Sequence, residues 1–201
     1  EFLQLAAGLG LGGVELRNDL PGPNAGRITD DQNPTETRRL AEKLRLKVLT
    51  INALQMFNLR DRLERTRAEL EQLLAVCAEL DCPAIVMCPN NDPRDPRSPE
   101  ARRADTVECL KALRPLFERS GRLGYVEPLG FGESSLSSLA VGAAVLREVG
   151  GSCYRLVWDT FHHYLGPDSA EVLGNPLHVA QLGLVHVSAV EAEKPAGGYR
   201  D

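Results

Sequence analysis

Short apolar runs alternate with longer segments of helical periodicity along most of the chain. The short runs are β-leaning, and apolar residues in the longer segments recur at helical spacing. Six strands are predicted, at 13–17, 47–52, 84–88, 123–127, 154–158 and 184–187. Helices are predicted at 1–9, 35–46, 61–80, 134–149 and 169–182, the last with a break near Pro176. The charge-rich stretch that ends at Arg103 is predicted to be a loop and a helix start, and that helix runs on to about Ser120. The stretch 18–33 is rich in Gly, Pro, Asn and Asp and is predicted to be a loop.

This alternation is typical of a parallel α/β fold, for which an open doubly wound sheet and a (β/α)8 barrel both remain possible. Three polar residues follow the apolar cores of successive strands: Glu127, Asp159 and His186. In a barrel, the carboxyl ends of the strands surround one mouth and their side chains converge, whereas in an open sheet they spread apart. The three residues therefore favour a (β/α)8 TIM barrel. A whole barrel takes about 250 residues, so we expect the first strand and the last βα unit to lie outside this sequence. Residues 1–201 are predicted to form a single domain.

Composition narrows the classes of partner. The net charge of -5 and the sequence pI near 5.5 disfavour a nucleic-acid partner, and so does an aromatic content of 5%. No apolar run is long enough to cross a membrane. The five cysteines contain no Cys-x-x-Cys pair and lie in or beside apolar runs, which predicts free, buried thiols and a cytoplasmic protein.

Glu127, Asp159 and His186 form a mixed set of carboxylates and an imidazole, which suits Mn²⁺, Mg²⁺, Co²⁺ or Zn²⁺. An ion with an open position would polarise a substrate carbonyl and stabilise an enediolate after a carboxylate removes the neighbouring proton. Each residue also has a purely structural alternative. Glu127 could pair with an arginine, Asp159 could cap a helix, and His186 could be a core histidine. One shared site explains all three strand ends more economically.

Other polar residues are predicted to line the same mouth. Glu15 follows the apolar part of the first strand, and Asn52 ends the second. We expect both to contact a substrate, although each could equally be a loop cap or a surface pair.

Three motifs carry a resemblance to a known family. They are Glu127-Pro-Leu-Gly-Phe-Gly-Glu133, Asp159-Thr-Phe-His162 and His186-Val-Ser. Together they resemble the sugar phosphate isomerase/epimerase superfamily of xylose isomerase-like TIM barrels. Ketose 3-epimerases, hydroxypyruvate isomerase, inosose-processing proteins and the endonuclease IV branch belong to that superfamily.

The resemblance implies that Glu127, Asp159 and His186 bind a divalent metal ion with a fourth ligand, a glutamate on the last strand, which this sequence does not contain. It implies that Glu127 is also a catalytic acid/base. His162 would bind a substrate oxygen and take part in catalysis, and Glu133 would orient the His162 imidazole. It further implies a sugar or sugar-derived keto acid as substrate, and barrels of this kind are often dimers or tetramers.

The function that follows is a metal-dependent isomerase or epimerase. A dehydratase acting on an inosose- or dehydroshikimate-like substrate would share the metal and the base, and the sequence does not separate the two. A barrel that binds a sugar or metal without turnover is a third possibility. The phosphodiesterase branch is disfavoured, because its three-metal cluster is rich in histidine and this acidic chain has four histidines.

Overall fold

The computed structural model describes residues 1–18, 33–190 and Tyr199. Within these residues six strands form one all-parallel sheet whose spatial order is the order of the chain. The strands are β1 (Gly13–Arg17), β2 (Lys47–Leu54), β3 (Ala84–Met87), β4 (Leu123–Val126), β5 (Tyr154–Asp159) and β6 (Leu182–His186). The helices are α1 (Phe2–Gly8), α2 (Pro34–Lys43), α3 (Leu63–Leu80), α4 (Pro99–Ser120), α5 (Leu139–Val149), α6 (Thr160–Leu165) and α7 (Pro176–Val179).

Side-chain caps fix where three of the helices begin. Asn33 accepts a hydrogen bond from the Glu36 backbone N–H at 3.1 Å before α2. Ser98 and Ser138 do the same for α4 and α5. Each cap satisfies a backbone donor that the helix itself leaves without a partner. The cap at Ser98 places the start of α4 within the charge-rich stretch, where the sequence predicts a loop and a helix start.

The sheet is curled rather than open. In a flat sheet, five strand spacings of about 4.8 Å would separate β1 from β6 by roughly 24 Å. The side chains of Glu15 on β1 and His186 on β6 nevertheless approach to 3.4 Å. Two side chains cannot bridge the flat distance, so the six strands form a curved part of a barrel wall. The open doubly wound sheet is therefore excluded.

Apolar side chains cover both faces of this wall. On β3, Ile85 and Met87 pack in the large cluster beneath the helices, while Val86 packs in a smaller cluster on the concave face. Leu156 and Val157 divide in the same way on β5. Alternate residues of a strand point to opposite faces, so strands that read as continuous apolar runs are buried on both sides, as parallel strands usually are.

The six predicted strands are confirmed, with shifts of up to two residues at their ends. Two helix predictions were wrong in extent. The predicted helix 134–149 begins only at Leu139, because Ser134 and Ser135 are buried in a turn that is hydrogen-bonded to other loops. The predicted helix 169–182 is divided into a 3-10 turn, Ala170–Gly174, and the short α7, and β6 already begins at Leu182.

The predicted loop at 18–33 lies almost wholly outside the described residues. The five cysteines are free and buried, as predicted. Among the helices of the described residues, none combines the length and apolar character needed to span a membrane.

Candidate functional site

Three of the predicted site residues lie together at the carboxyl end of neighbouring strands. Asp159 and His186 are the last residues of β5 and β6 and are partners in the sheet register. Glu127 follows β4 directly, and its backbone N–H extends the ladder by donating to Met87 O at 3.0 Å. The pleat of the sheet thus turns all three side chains towards the same mouth.

The side chains meet at the His186 imidazole. Its Nδ1 lies 2.8 Å from Glu127 Oε1 and 3.7 Å from Asp159 Oδ2. One ligand atom from each of the three residues lies within 4.8 Å of the others. Glu127 and Asp159 are buried and His186 is partly buried. Two carboxylates held this close in a buried position repel one another unless a cation lies between them.

A further carboxylate approaches His186 from its other side. Glu15 Oε2 lies 3.4 Å from Nε2 of the ring and accepts a hydrogen bond from Thr50 Oγ1 at 2.5 Å. Glu15 Oε1 accepts one from Asn52 Nδ2 at 3.0 Å. Burial raises the pKa of Glu15, but the hydrogen bonds from His186 and Thr50 outweigh burial and the net pKa is lowered. Burial opposes a charged His186, yet its contacts with Glu127 and Glu15 raise the pKa of His186 to about 10.

Asp159 uses its two oxygens for different purposes. Oδ1 accepts hydrogen bonds from the backbone N–H groups of Phe161 and His162, at 2.7 and 3.0 Å, and so caps α6. Oδ2 faces His186. The sequence offered a helix cap and a metal ligand as alternatives. The structure shows the cap, and the same side chain also presents its second oxygen to the cluster.

His162 is the third residue of α6, and its ring packs edge-on against Phe131 and Phe161 at centroid distances of 5.3 Å. The ring lines the same cleft as the cluster. Its Nδ1 is buried and has no hydrogen-bond partner among the described residues. Glu133 does not line the cleft. The structure therefore brings His162 to the site but does not bring Glu133 to the nitrogen that it was expected to orient.

These residues line a cleft of about 430 Å³ at the mouth of the half-barrel. Five of the predicted residues line it beside His162: Glu15, Asn52, Glu127, Asp159 and His186. Sequence reasoning missed several lining residues, among them Cys88, whose Sγ lies 3.8 Å from Glu127 Oε2. Its place directly after β3 was the available signal, but the cysteine was assigned to the core because cysteine usually behaves as a small buried hydrophobe.

The donor set is chemically suited to a divalent metal ion. Carboxylate oxygens and one imidazole nitrogen are the ligands used by Mn²⁺, Co²⁺ and Zn²⁺ sites, and oxygen-rich sites also take Mg²⁺. A cation between the two carboxylates would relieve their mutual repulsion. The side chains in the structure fit a bound ion.

Comparison with solved structures supports the fold. A xylose isomerase domain-containing protein from Salmonella typhimurium LT2 is similar over 96% of this chain and 67% of its own length, with 39% identity and a TM-score of 0.82. The IolI protein, solved with a bound zinc atom, is similar at 19% identity over 92% of this chain and 66% of its own, with a TM-score of 0.80. A 3-keto-D-glucoside 4-epimerase from E. coli is similar at 20% identity over 99% and 77%, with a TM-score of 0.76.

The chain thus spans about two thirds of the length of the first two of these proteins. No curated protein matches the sequence significantly. The family model of the xylose isomerase-like TIM barrel matches residues 3–201, nearly the entire sequence. The predicted TIM-barrel fold is confirmed in the form of an incomplete barrel, and the chain belongs to the family of xylose isomerase-like TIM barrels.

Proposed function

We propose that this chain carries the site of a divalent-metal-dependent isomerase or epimerase acting on a sugar or a sugar-derived keto acid. The observation that carries the proposal is the cluster of Glu127, Asp159 and His186, whose ligand atoms lie within 4.8 Å of one another at the base of an open cleft. The names of two solved relatives agree with it, since one is a sugar epimerase and another was solved with zinc.

In this proposal Glu127, Asp159 and His186 hold the ion. When bound, the ion supplies a positive charge that polarises a substrate carbonyl and makes the neighbouring C–H more acidic. In this proposal Glu127 moves that proton. Two observations support the role: Glu127 is buried at the cleft wall, and the one hydrogen bond found for its Oε2 comes from the weakly polar Cys88 thiol. His162 and Asn52 also line the cleft, and in this proposal they orient substrate hydroxyls.

The substitution Asp159→Asn tests this proposal sharply. The asparagine carbonyl can replace Oδ1 as the cap of α6, while the charge of Oδ2 is lost, so folding is retained and the ion is not. We expect stoichiometric metal in the wild-type protein and little in the variant. The matched control is Asp61→Asn, since Asp61 is exposed in the 3-10 turn before α3 and does not line the cleft.

Activity is followed as exchange of solvent deuterium into a panel of ketoses, inososes and hydroxy-keto acids. We expect metal-dependent exchange in the wild type and in Asp61→Asn, and none in Asp159→Asn. Equal metal content in all three proteins would contradict the proposed site. Metal-dependent loss of water from a substrate, without exchange into recovered substrate or isomer, would assign the site to a dehydratase instead.

A further inference from the structure

The His186 imidazole separates its neighbours into two groups. Its Nδ1 faces Glu127 and Asp159, at 2.8 and 3.7 Å. Its Nε2 faces Glu15, at 3.4 Å. The two ring nitrogens point in different directions, so an ion bound between the two carboxylates and Nδ1 lies on the far side of the ring from Glu15. Glu15 is accordingly not one of the residues whose ligand atoms cluster within 4.8 Å.

The Glu15 carboxylate is held in place by the sheet itself. Its Oε2 accepts from Thr50 and its Oε1 accepts from Asn52, both on the neighbouring strand β2. Thr50 is 1% exposed and Asn52 is 8% exposed. With His186 as a third neighbour, both oxygens of Glu15 are engaged without any substrate. These hydrogen bonds hold the Glu15 carboxylate beside Nε2 of His186, and neither of its oxygens is left without a partner for a ligand to use.

We propose that Glu15 is a positioning residue that accepts the Nε2–H of His186 and thereby leaves the Nδ1 lone pair for the metal ion. This inference rests on the proposed function, and it replaces the expectation that Glu15 binds substrate. A carboxylate or carbonyl on the far nitrogen is the usual partner of a metal-binding histidine, because it fixes the tautomer and the ring orientation and makes the bound nitrogen more basic.

The decisive variant is Glu15→Gln, which keeps the size of the side chain and removes its charge. We expect the affinity for Mn²⁺, Co²⁺ and Zn²⁺ to fall by about 10- to 100-fold. The affinity is measured by competition with a chromophoric chelator, and the visible absorption of bound Co²⁺ is recorded because it reports the strength of the His186 bond. The matched control is Glu148→Gln, an exposed carboxylate paired with Arg103 far from the cleft lining.

A second variant tests the proposal even if Glu15→Gln does not fold. Thr50→Val is nearly isosteric, keeps the charge of Glu15 and removes one of the hydrogen bonds that hold it. We expect a loss of metal affinity in the same direction as for Glu15→Gln, but smaller. A purely structural role for Glu15 would instead lower the unfolding temperature of the metal-free protein and leave the metal affinity and the Co²⁺ spectrum unchanged.

The outcomes separate the two proposals. If the wild type binds the ions and Glu15→Gln binds them within twofold, the role of Glu15 is overturned while the metal site stands. A raised KM with unchanged metal affinity would place Glu15 against the substrate, which also overturns the inference. If Glu15→Gln does not fold, unchanged affinity in Thr50→Val has the same meaning. A wild-type protein that binds none of the three ions overturns both proposals.

Discussion

At the scale of single residues, strand-end chemistry was the part of the site that the sequence could predict. An apolar run followed by Glu, Asp or His shows in the sequence itself, and the all-parallel sheet then brings Glu127, Asp159 and His186 together. The partners of His186 were harder to foresee. Whether Glu15 faces a substrate or a histidine depends on how strongly the sheet curls, and no local pattern encodes that curvature.

Because the two oxygens of Asp159 have different roles, two substitutions can separate the loss of the helix cap from the loss of the negative charge. Asp159→Ala removes both the cap of α6 and the charge, whereas Asp159→Asn removes only the charge. We expect the alanine variant to be less stable than the asparagine variant by about 1 kcal/mol, the usual value of a lost helix cap. Urea denaturation in the presence of a chelator measures this difference. Equal stabilities of the two metal-free variants would show that Oδ1 contributes nothing to the start of α6.

At the scale of elements, the errors of prediction occurred where tertiary contacts outweighed local pattern. Residues 134–138 have helical spacing, but Ser135 donates its backbone N–H to Asn90 O at 2.8 Å and its hydroxyl to the same oxygen at 2.9 Å. These bonds link the loop after β4 to the loop after β3 and delay α5 until Leu139. A single sequence does not reveal such bonds between distant loops.

The loop after β4 also packs directly against α6. A Cβ on Gly130 would overlap the carbonyl oxygen of His162, while one on Gly132 would meet nothing within 4 Å. Gly130→Ala must therefore push α6 and its capping Asp159 away from β4. We expect a loss of about 1 to 3 kcal/mol in the free energy of unfolding, as for other overpacked sites, together with weaker metal binding.

Gly132→Ala is the matched control, and we expect its stability to lie within about 0.5 kcal/mol of the wild type. Urea denaturation and metal titration of the two variants provide the comparison. If both variants behave alike, the close approach of the loop and α6 does not position the site.

The loop after β3 contains a buried ionic network around Asp95. The Asp95 side chain is 2% exposed and accepts hydrogen bonds from Arg97 at 2.7 and 2.9 Å and from Asn90 at 2.9 Å. The hydrogen bonds from Arg97 hold the pKa of Asp95 well below its usual range, although burial acts in the opposite direction. Because the folded pKa is depressed, this stabilisation is present above the unfolded pKa near 4 and is lost as the pH falls below it.

We therefore expect Asp95→Asn to lower the free energy of unfolding at pH 7 by about 1 to 3 kcal/mol, because charge-assisted hydrogen bonds from Arg97 are weakened while Asp105 still pairs with Arg97 at 2.9 Å. The difference from the wild type should shrink steadily as the pH falls below about 4. Urea denaturation across this range measures both effects, with Asp92→Asn as the control in the same loop, since Asp92 is 35% exposed and pairs with the exposed Arg94. A difference that does not depend on pH would assign the loss to packing rather than to charge.

At the scale of the whole molecule, the alternation of strands and helices was sufficient to predict the class of fold. Convergent polar strand ends were sufficient to choose a barrel over an open sheet. The observed contact between the side chains of Glu15 on β1 and His186 on β6 confirms the curved sheet of a barrel. The proposed ion would join the ends of β4, β5 and β6, so its binding should stabilise the sheet as a unit.

An ion that binds only the folded chain raises stability by about 2.7 kcal/mol at a free concentration 100 times its Kd. For a chain of this size we expect the unfolding temperature to rise by about 5 to 10 °C. Thermal unfolding with added Mn²⁺, Co²⁺ or Zn²⁺, and again with a chelator, measures the shift. Asp159→Asn should show none of it, and an equal shift in the variant would indicate that the ions bind elsewhere.

The meeting of Glu15 with His186 also has a consequence for biosynthesis. Glu15 lies on the first described strand and the imidazole on the last. During translation, the early strands can pair with their neighbours as they leave the ribosome, but the mouth stays without its histidine until β6 has emerged and docked beside β5. Contacts between distant parts of a chain form late, because closing the intervening loop costs conformational entropy before the contact can stabilise the fold. Metal loading is thus expected to follow synthesis of the sheet rather than to guide it.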